Sequence, residues 1–392
     1  MLFQQQLRVP GPAPVPERVV RAASAPMINH RGAEFAELIS DVTQGLKDVF
    51  QTQNEMLILT ASGTGGLESA VANVISPGDQ VLVASCGSFG DRFAQIATVY
   101  GAQVVHLSVP WGQPVEAADL KAILAEHPAV RVVFLTHNET STGLTNPITD
   151  LCEAVRSHGA LLVVDGVSSV ASIDLPVDRL GIDVAVSSSQ KGWMCPPGLA
   201  FVSVSARAWE MSQSAKAPRF YFDWAKARDS LASGQTPYTP AIGIFMALRE
   251  GLAMIKEEGL ANVFVRHQLV AAAFRAGVEA LGLDLFAHPA HRSATVTCGL
   301  MPEGIAGSAL IQRLRTGYGV VVAGGQGQLQ GKIFRIGHLG MVAPGDVVQV
   351  LWALQEALRD VGYDGTTDGS ALVAAQNVLR MHDEETSLTT GR

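Results

Sequence analysis

The sequence predicts an α/β protein with a mostly parallel sheet covered by helices, followed by a smaller C-terminal α+β domain. Short apolar segments alternate with segments of helical periodicity from residue 56 to residue 204. Strands that are apolar throughout are typical of parallel sheets buried on both faces. After residue 281, shorter strand and helix patterns replace the long helical ones. A chain of 392 residues is also too long for one small core, so two domains are expected.

Seven apolar segments are predicted to form the main sheet. They are residues 56–60, 80–84, 103–107, 130–135, 160–164, 184–186 and 199–204. The helices before and between them are predicted because apolar side chains recur on one side, as Phe35, Leu38 and Val42 do in the first helix. These helices are residues 34–50, 67–75, 91–100, 117–126 and 148–158.

Both ends of the chain are predicted to differ from this alternation. The prolines from Pro10 to Pro16 remove backbone donors and fix φ, which predicts an extended arm. Helical periodicity covers residues 241–281, with a break near Gly259. The elements predicted after it are strands 293–298 and 332–336 and helices 308–315 and 343–358. The predicted domains are an arm (1–15), a large domain (16–258), a small domain (259–364) and a weakly ordered tail (365–392), apart from a short apolar run at 371–379.

Composition argues against several classes of protein. Hydrophobic residues make up 47% of the chain and charged residues 16%, which is typical of a compact globular protein. The net charge of −8 argues against binding to nucleic-acid phosphates, and no apolar run is long enough to predict a membrane span. The first residues lack a signal pattern and the cysteines form no CxxC pair. We therefore expect a cytoplasmic protein with reduced thiols and no metal site.

The residues that follow each strand are the candidates for a binding site, because ligands bind at the carboxyl ends of parallel strands. Ser62, Gly63 and Thr64 begin a glycine-rich run that opens a helix, and such helix starts bind anions such as phosphate. The run is neither a Walker loop nor a GxGxxG motif, so an ordinary strand–helix turn explains it equally well. After residues 80–84, Phe89 is either a platform for a planar ring or a core residue.

Further polar groups follow the next strands. Residues 136–143 are a dense run of short polar side chains, suited to hydrogen-bond a ligand or to cap a turn. Asp165 comes directly after strand 160–164. An isolated buried carboxylate is costly, so Asp165 needs a helix N-terminus, an arginine or a cationic ring nitrogen as its partner.

Lys191 follows strand 184–186, a run of small hydroxyl residues and Gln190. The small residues leave room around the lysine, and Gly192 lets the chain turn away. Desolvation lowers the pKa of an amine, so Lys191 is suited to be a Schiff-base nucleophile. Taken alone, the pattern is more often an ordinary surface lysine at a strand end.

Together, these groups match the needs of pyridoxal 5′-phosphate (PLP). Its phosphate binds amides and hydroxyls, its ring stacks on an aromatic side chain, its pyridine nitrogen pairs with an anion, and its aldehyde reacts with an amine. The combination at one sheet edge is far more specific than any of its parts. The sequence therefore predicts PLP as the cofactor.

With these residues in place, the chain resembles fold-type I PLP enzymes, and among them class V aminotransferases of the alanine/serine–glyoxylate group. The resemblance covers residues 11–362. It depends on motifs at residues 11–14, 62–68, 136–143, 164–165, 189–192, 196–198 and 335–340. It implies the PLP-dependent transferase fold type I and an aminotransferase activity.

The resemblance also implies roles for single residues. Lys191 is implied as the catalytic lysine that binds PLP and carries the proton, with Asp165 as the partner of the pyridinium. Phe89 and Val167 are implied on opposite faces of the ring, and Thr140 near its phenolic oxygen. The implied phosphate ligands are Ser62, Gly63, Thr64, Gln190 and, from the other subunit, Thr239.

Substrate binding is implied for Arg335 and Gly11, with the planar fork of Arg335 suited to an α-carboxylate. A phosphate contact from the other subunit implies a homodimer with shared active sites. Some relatives have tryptophan at the position of Phe89 and histidine at that of Thr64, and both differences leave the substrate open. The roles of His30, Arg31 and His137 also stay open.

The implied reaction is ping-pong transfer of an amino group from a small amino acid, alanine or serine, to a 2-oxo acid, with glyoxylate expected. Other pairs on the same fold remain alternatives: aspartate, ureidoglycine, aminoethylphosphonate, or pyridoxamine with pyruvate. A cysteine desulfurase or lyase needs a nucleophilic cysteine on a mobile loop, whereas Cys298 lies in a predicted strand and Cys195 beside a turn. A catalytically silent regulator would need a DNA-binding segment, for which no basic patch is present.

Overall fold

The computed structural model describes residues 5–390, with side chains described as far as Arg380. The N-terminal elements are β1 (Gln6–Leu7), α1 (Glu17–Ala23) and α2 (Ala33–Phe50). The chain continues with β2 (Glu55–Thr60), α3 (Gly63–Val74), β3 (Gln80–Ser85), α4 (Ser88–Val99), β4 (Gln103–Ser108), α5 (Ala117–Glu126), β5 (Val132–Thr136), β6 (Asn138–Glu139), β7 (Leu144–Thr145), α6 (Ile148–His158), β8 (Leu161–Asp165), α7 (Val177–Leu180), β9 (Val184–Ser188), β10 (Leu199–Val204), α8 (Ala206–Ser214), α9 (Trp224–Ala232) and α10 (Ile242–Glu258). The remaining elements are α11 (Leu260–Ala280), β11 (Val296–Leu300), α12 (Gly307–Tyr318), β12 (Val320–Val321), β13 (Ala323–Gly324), β14 (Ile333–Gly337), α13 (Pro344–Asp360) and α14 (Ser370–Thr390).

The main sheet confirms the predicted α/β architecture. Its seven strands lie in the order β2-β10-β9-β8-β5-β3-β4, and only β10 runs antiparallel to its neighbours. The register pairs Thr136 of β5 with Asp165 of β8, and Asp165 with Val186 of β9. The residues that follow β2, β5, β8 and β9 therefore meet at one edge, where a ligand site is expected.

Apolar side chains fill both faces of this sheet, as the unbroken apolar strands require. One cluster joins the sheet to α2, α6 and α10, and the other joins it to α3, α4, α8 and α9. A third cluster lies between α11, α12, α13 and α14 in the C-terminal part. The predicted break between the two long helices is confirmed at Gly259, whose φ of 85° belongs to the left-handed region that glycine adopts easily.

Helices α3 and α4 each begin a full turn or nearly so before the predicted start, and both differences bear on the site. α3 begins at Gly63, because the Ser62 side chain caps it by accepting a hydrogen bond from the Gly65 N–H at 3.3 Å. α4 begins at Ser88, because the Glu139 carboxylate accepts from the N–H groups of Phe89 and Gly90. A cap supplied by a distant residue leaves no local pattern in the sequence.

β11 was expected over residues 293–298 but forms over Val296–Leu300. The side chains of Ser293 and Thr295 instead hydrogen-bond Asn138 at 2.7 and 2.9 Å. These contacts join the segment before β11 to the polar run after β5. The strand starts later than predicted because Ser293 and Thr295 hydrogen-bond a distant residue, a contact that the local sequence pattern does not indicate.

The N-terminal segment contacts both the C-terminal elements and the loop after β9. β1 pairs with β12, and the Gly337 N–H donates to the Arg8 carbonyl at 2.7 Å. The Ala13 N–H donates to the Gln190 carbonyl at 2.8 Å. The arm therefore passes directly beside the loop that carries Lys191.

The apolar run at residues 371–379 lies within helix α14. Ala371 and Ala375 are fully buried, and the helix packs against α11 and α13. Within the described residues, no helix has both the length and the apolar character needed to cross a membrane.

Candidate active site

A cavity of about 130 Å³ lies at the carboxyl ends of the parallel strands. Every residue predicted to bind PLP lines it, with the exception of Thr239. The residues of this set in the wall are Ser62, Gly63, Thr64, Phe89, Thr140, Asp165, Val167, Gln190 and Lys191. The topology thus brings together side chains that are far apart in the sequence.

Lys191 is buried in this cavity, with only 9% of its surface exposed. Its Nζ donates to the Pro10 carbonyl at 2.5 Å. Burial lowers the pKa of Lys191 to about 8, with Arg335 and Arg92 acting in the same direction and Asp165 in the opposite one. The lowered pKa therefore makes the unprotonated amine that a Schiff-base nucleophile requires far more abundant near neutral pH than in an ordinary lysine.

Asp165 ends β8 as a buried carboxylate. Its Oδ1 accepts from the Val167 N–H at 2.9 Å, and no other hydrogen bond to this carboxylate occurs among the described side chains. Burial raises the pKa of Asp165 to about 6. An anion that borders a cavity without a hydrogen-bonded cation fits the pyridinium nitrogen of PLP, which would supply the missing positive charge.

The start of α3 fits the phosphate of PLP. The free N–H groups of the first helical turn and the positive end of the helix dipole point to the cavity end lined by Ser62, Gly63 and Thr64. A Cβ on Gly63 would lie 2.9 Å from the Ser188 Oγ, so only glycine lets the helix start lie this close to the sheet. Gln190 lines the same cavity, and its buried Oε1 has no hydrogen-bond partner.

Phe89 and Val167, the two residues predicted to contact the ring of PLP, both lie in the cavity wall and come from different parts of the chain. Phe89 lies in the first turn of α4 and is half-buried. Glu139 fixes this turn and is itself completely buried. Burial raises the pKa of Glu139 to about 7, while its hydrogen bonds from Ser141 and Gly90 act in the opposite direction.

Arg335 lies beside the cavity and contacts its wall through Thr140. Its Nη1 donates to the Thr140 carbonyl at 3.0 Å and its Nε to the Gly324 carbonyl at 2.8 Å. Its Nη2 has no partner among the described residues. Burial lowers the pKa of Arg335, but an arginine stays charged at any working pH. The geometry leaves one donor group for an anion.

Gly11 lies against the lysine, since a Cβ there would be 2.3 Å from the Lys191 Nζ. Thr239 is exposed and lies outside the cavity of its own chain. The guanidinium of Arg31 donates to Gln235 and to the Thr236 carbonyl at 2.6 and 2.8 Å, so it holds the segment that carries Thr239. His137 is buried outside the cavity wall, and burial lowers its pKa to about 4.

The sequence prediction missed Arg92, and it did not single out Asn138 or Ser168, although all three line the cavity. Arg92 follows Phe89 by three residues, so a helix that begins at Ser88 places both on one face. Helical spacing is therefore the signal that identifies Arg92 once the start of α4 is known. Asn138 lies in the polar run 136–143 and donates to the Ser168 Oγ at 2.8 Å.

A mostly parallel sheet with this lysine, carboxylate and anion-binding helix start at its carboxyl edge defines a PLP-dependent enzyme of fold type I. Sequence comparison narrows the class. The aminotransferase class-V family matches residues 9–338, and the chain belongs to that family. Its activity is that of a PLP-dependent transaminase.

Individual relatives show how broad the similarity is. A protein of Synechococcus sp. (strain PCC 6716) named "soluble hydrogenase, small subunit" is 43% identical, over 97% of this chain and 99% of its own. The L-aspartate–glyoxylate aminotransferase of Paracoccus denitrificans (strain Pd 1222) is 37% identical, over 97% of each chain. The crystal structure of ureidoglycine–glyoxylate aminotransferase from Bacillus subtilis has a TM-score of 0.91 at 31% identity, and the match covers 97% of this chain and 99% of that one.

Proposed function

We propose that this aminotransferase moves an amino group from alanine or serine to glyoxylate by a ping-pong mechanism. The observation that carries the proposal is the buried guanidinium of Arg335, whose Nη2 meets no acceptor in the described part of the chain and lies beside the cavity that holds Lys191. The N–H groups of Nη2 can donate to one carboxylate in a charge-assisted contact. Amino donors and 2-oxo acids both present an α-carboxylate, so one clamp serves both halves of the reaction.

The charges around the cavity support a donor whose side chain is uncharged. Its basic wall residues are Lys191 and Arg92, and Arg92 lies at the anion-binding end near Thr64. Arg335 is then left for the substrate. A donor with an uncharged side chain needs no second cation, whereas aspartate does. Glyoxylate is the acceptor named for two of the similar aminotransferases, which supports it here.

When bound, PLP would supply an electron sink for bond breaking at the substrate Cα. Lys191 would take the α-proton from the donor and give it back later in the reaction, a role that an amine of lowered pKa performs near neutral pH. Asp165 stays ionised and stabilises the positive ring nitrogen without transferring a proton. Arg335 orients the substrate so that its Cα–H faces the lysine.

A cysteine desulfurase is a poorer fit to the same fold. Cys298 is buried in β11 opposite Arg335, and burial raises the pKa of its thiol to about 12. Cys195 is buried as well. A thiol nucleophile needs to be mobile and partly ionised, and neither cysteine meets these conditions.

The proposal includes a cytoplasmic homodimer whose active sites are shared. Thr239 is exposed next to a surface group of aromatic rings, in which Tyr221 and Tyr238 stack at 5.0 Å and Phe220 is 71% exposed. An exposed apolar group of this kind is typical of a contact surface. It supports the idea that Thr239 contacts the phosphate in a partner subunit. The four buried, unpaired cysteines fit a reducing compartment.

The test is an amino-donor panel of alanine, serine, aspartate and glycine against glyoxylate, pyruvate and 2-oxoglutarate, followed through the absorbance of the cofactor. We expect the highest kcat/KM for alanine or serine with glyoxylate. A higher value for aspartate with any of the acceptors would overturn the proposed donor.

A second experiment tests the shared site. Lys191→Ala and Thr239→Ala chains are co-expressed, so that hybrid dimers form. Hybrid dimers with one intact site should bind PLP more tightly at that site than Thr239→Ala homodimers do and should be more active at limiting PLP, and no gain would overturn the shared-site proposal.

A further inference from the structure

Arg92 is a positive side chain in the cavity that the proposed mechanism does not use. It lies on α4, one turn after Phe89, and its Nη1 donates to the Thr64 Oγ1 at 3.3 Å. Its Cζ is 4.8 Å from the centre of the Phe89 ring. No carboxylate forms a salt bridge with it among the side chains that the structure describes. Its charge is therefore available to a ligand.

The anion-binding end of the cavity otherwise lacks a full positive charge. Ser62, Gly63, Thr64 and Gln190 contribute neutral hydrogen-bond donors, and the start of α3 contributes about half a charge. A phosphate monoester carries a charge of about −1.5 to −2 near pH 7. Lys191 is committed to the aldehyde, so Arg92 is the cation in the wall that remains to balance the phosphate.

The side chain is also held in a way that suits this role. Thr64 lies in the first turn of α3, so its contact places the guanidinium next to the helix start that receives an anion. The Phe89 ring supports the guanidinium plane. A guanidinium presents paired donors that match phosphate oxygens.

We propose that Arg92 is the cationic ligand of the PLP phosphate, fixed by Thr64 and supported by Phe89. The proposal rests on the PLP-dependent class and not on the identity of the amino donor. Its two competitors are a packing role, in which Arg92 only supports Phe89, and a substrate role, in which it binds the side-chain carboxylate of an acidic donor.

The experiment compares binding of PLP and of phosphate-free pyridoxal to the apoenzyme of the wild type, Arg92→Gln and Arg92→Lys, read from cofactor absorbance and protein fluorescence. Loss of a charged hydrogen bond predicts PLP binding about 10- to 100-fold weaker in Arg92→Gln. Pyridoxal binding should change by less than about twofold. Arg92→Lys should recover part of the loss. Inorganic phosphate should compete with PLP in the wild type and less well in Arg92→Gln.

Phe89→Leu is the matched control, because it removes ring stacking and should weaken PLP and pyridoxal alike. Equal weakening of both ligands in Arg92→Gln would overturn the proposal in favour of packing. Unchanged PLP affinity with a KM increase confined to aspartate would overturn it in favour of the substrate role. Failure of the wild-type chain to bind PLP would overturn the enzyme class together with this proposal. Thermal unfolding of each variant checks that the fold is retained.

Discussion

The Glu139 carboxylate accepts a hydrogen bond from the backbone N–H of Phe89 at 3.0 Å. The same carboxylate accepts from the Gly90 N–H at 3.1 Å and from the Ser141 hydroxyl at 2.5 Å. One fully buried side chain therefore joins the start of α4 to the loop after β5. Because Thr140 lies in that loop, Glu139 sets the position of the aromatic wall relative to the residue that Arg335 contacts.

This relationship predicts that Glu139→Gln weakens PLP binding. A carboxylate accepts on both oxygens, whereas an amide accepts on one, so either the N–H groups of α4 or those of the loop lose their partner. Each buried unsatisfied group costs about 1–3 kcal/mol, which lowers the melting temperature. PLP affinity should fall with it, because Phe89 is displaced. Calorimetry and PLP titration measure both effects, and unchanged values for both would show that Glu139 does not position the wall.

Gly11→Ala should lower kcat strongly and change the melting temperature only slightly. A Cβ at this position lies 2.3 Å from the Lys191 Nζ, and the backbone φ of 139° disfavours any side chain. The lysine must move, and a misplaced catalytic group costs up to about 100-fold in rate. Gly345→Ala is the control, since a Cβ there meets no atom within 4 Å. Steady-state kinetics of both variants decide the matter, and equal kcat values would contradict the prediction.

The rate at which the apoenzyme binds PLP covalently should depend on the ionisation of Lys191. Only the neutral amine attacks the aldehyde, so the rate should rise with pH up to the lysine pKa of about 8 and then level off. Arg335 lowers this pKa, so Arg335→Gln should move the midpoint to higher pH. Both proteins use the same PLP, so its own ionisation cancels in the comparison. Stopped-flow absorbance across pH 6–10 tests the shift, and a midpoint moved to lower pH would refute it.

The sequence alone predicts the fold and much of the cavity wall, because the signals for them lie close together along the chain. Each unbroken apolar strand ends in a distinct polar signal, so Asp165 and Lys191 could be placed at one edge before any contact was known. Arg92 was missed because the start of α4 depends on Glu139, a residue about fifty positions further along the chain. The contact of the Pro10 carbonyl with Lys191 was equally hidden, because it joins residues 181 positions apart.

The protein should lose stability in mild acid because of two buried histidines in its C-terminal part, His267 and His338. His267 donates from Nδ1 to the Val263 carbonyl and accepts at Nε2 from the Gly340 N–H, so it is neutral. Burial lowers the pKa of His267 to about 3 and that of His338 well below its usual value. As pH falls below about 6.5, protons bind the unfolded chain first, and stability falls by up to about 1.4 kcal/mol per pH unit for each histidine. Melting temperatures from pH 7.5 to pH 5 should therefore decline less steeply in His267→Gln than in the wild type, and parallel declines would contradict the assignment.

The sequence predicts a weakly ordered tail over residues 365–392, whereas α14 packs on the C-terminal helices with Ala371 and Ala375 buried, and one substitution on each face of the helix tests whether it docks. Ala375 of α14 is fully buried against α11 and α13, whereas Val373 is 56% exposed on the same helix. An aspartate at residue 375 would be an unpaired buried charge, which costs several kcal/mol because neither water nor a cation compensates it. We expect Ala375→Asp to lower the melting temperature by roughly 5–10 °C, while Val373→Asp changes it by less than about 2 °C. Both variants carry the same added charge on the same helix, and the extra loss of helix propensity on replacing alanine, about 0.7 kcal/mol at most, is smaller than the cost of a buried charge. Circular dichroism melting curves measure the difference, and equal shifts in the two variants would show that α14 does not dock in solution.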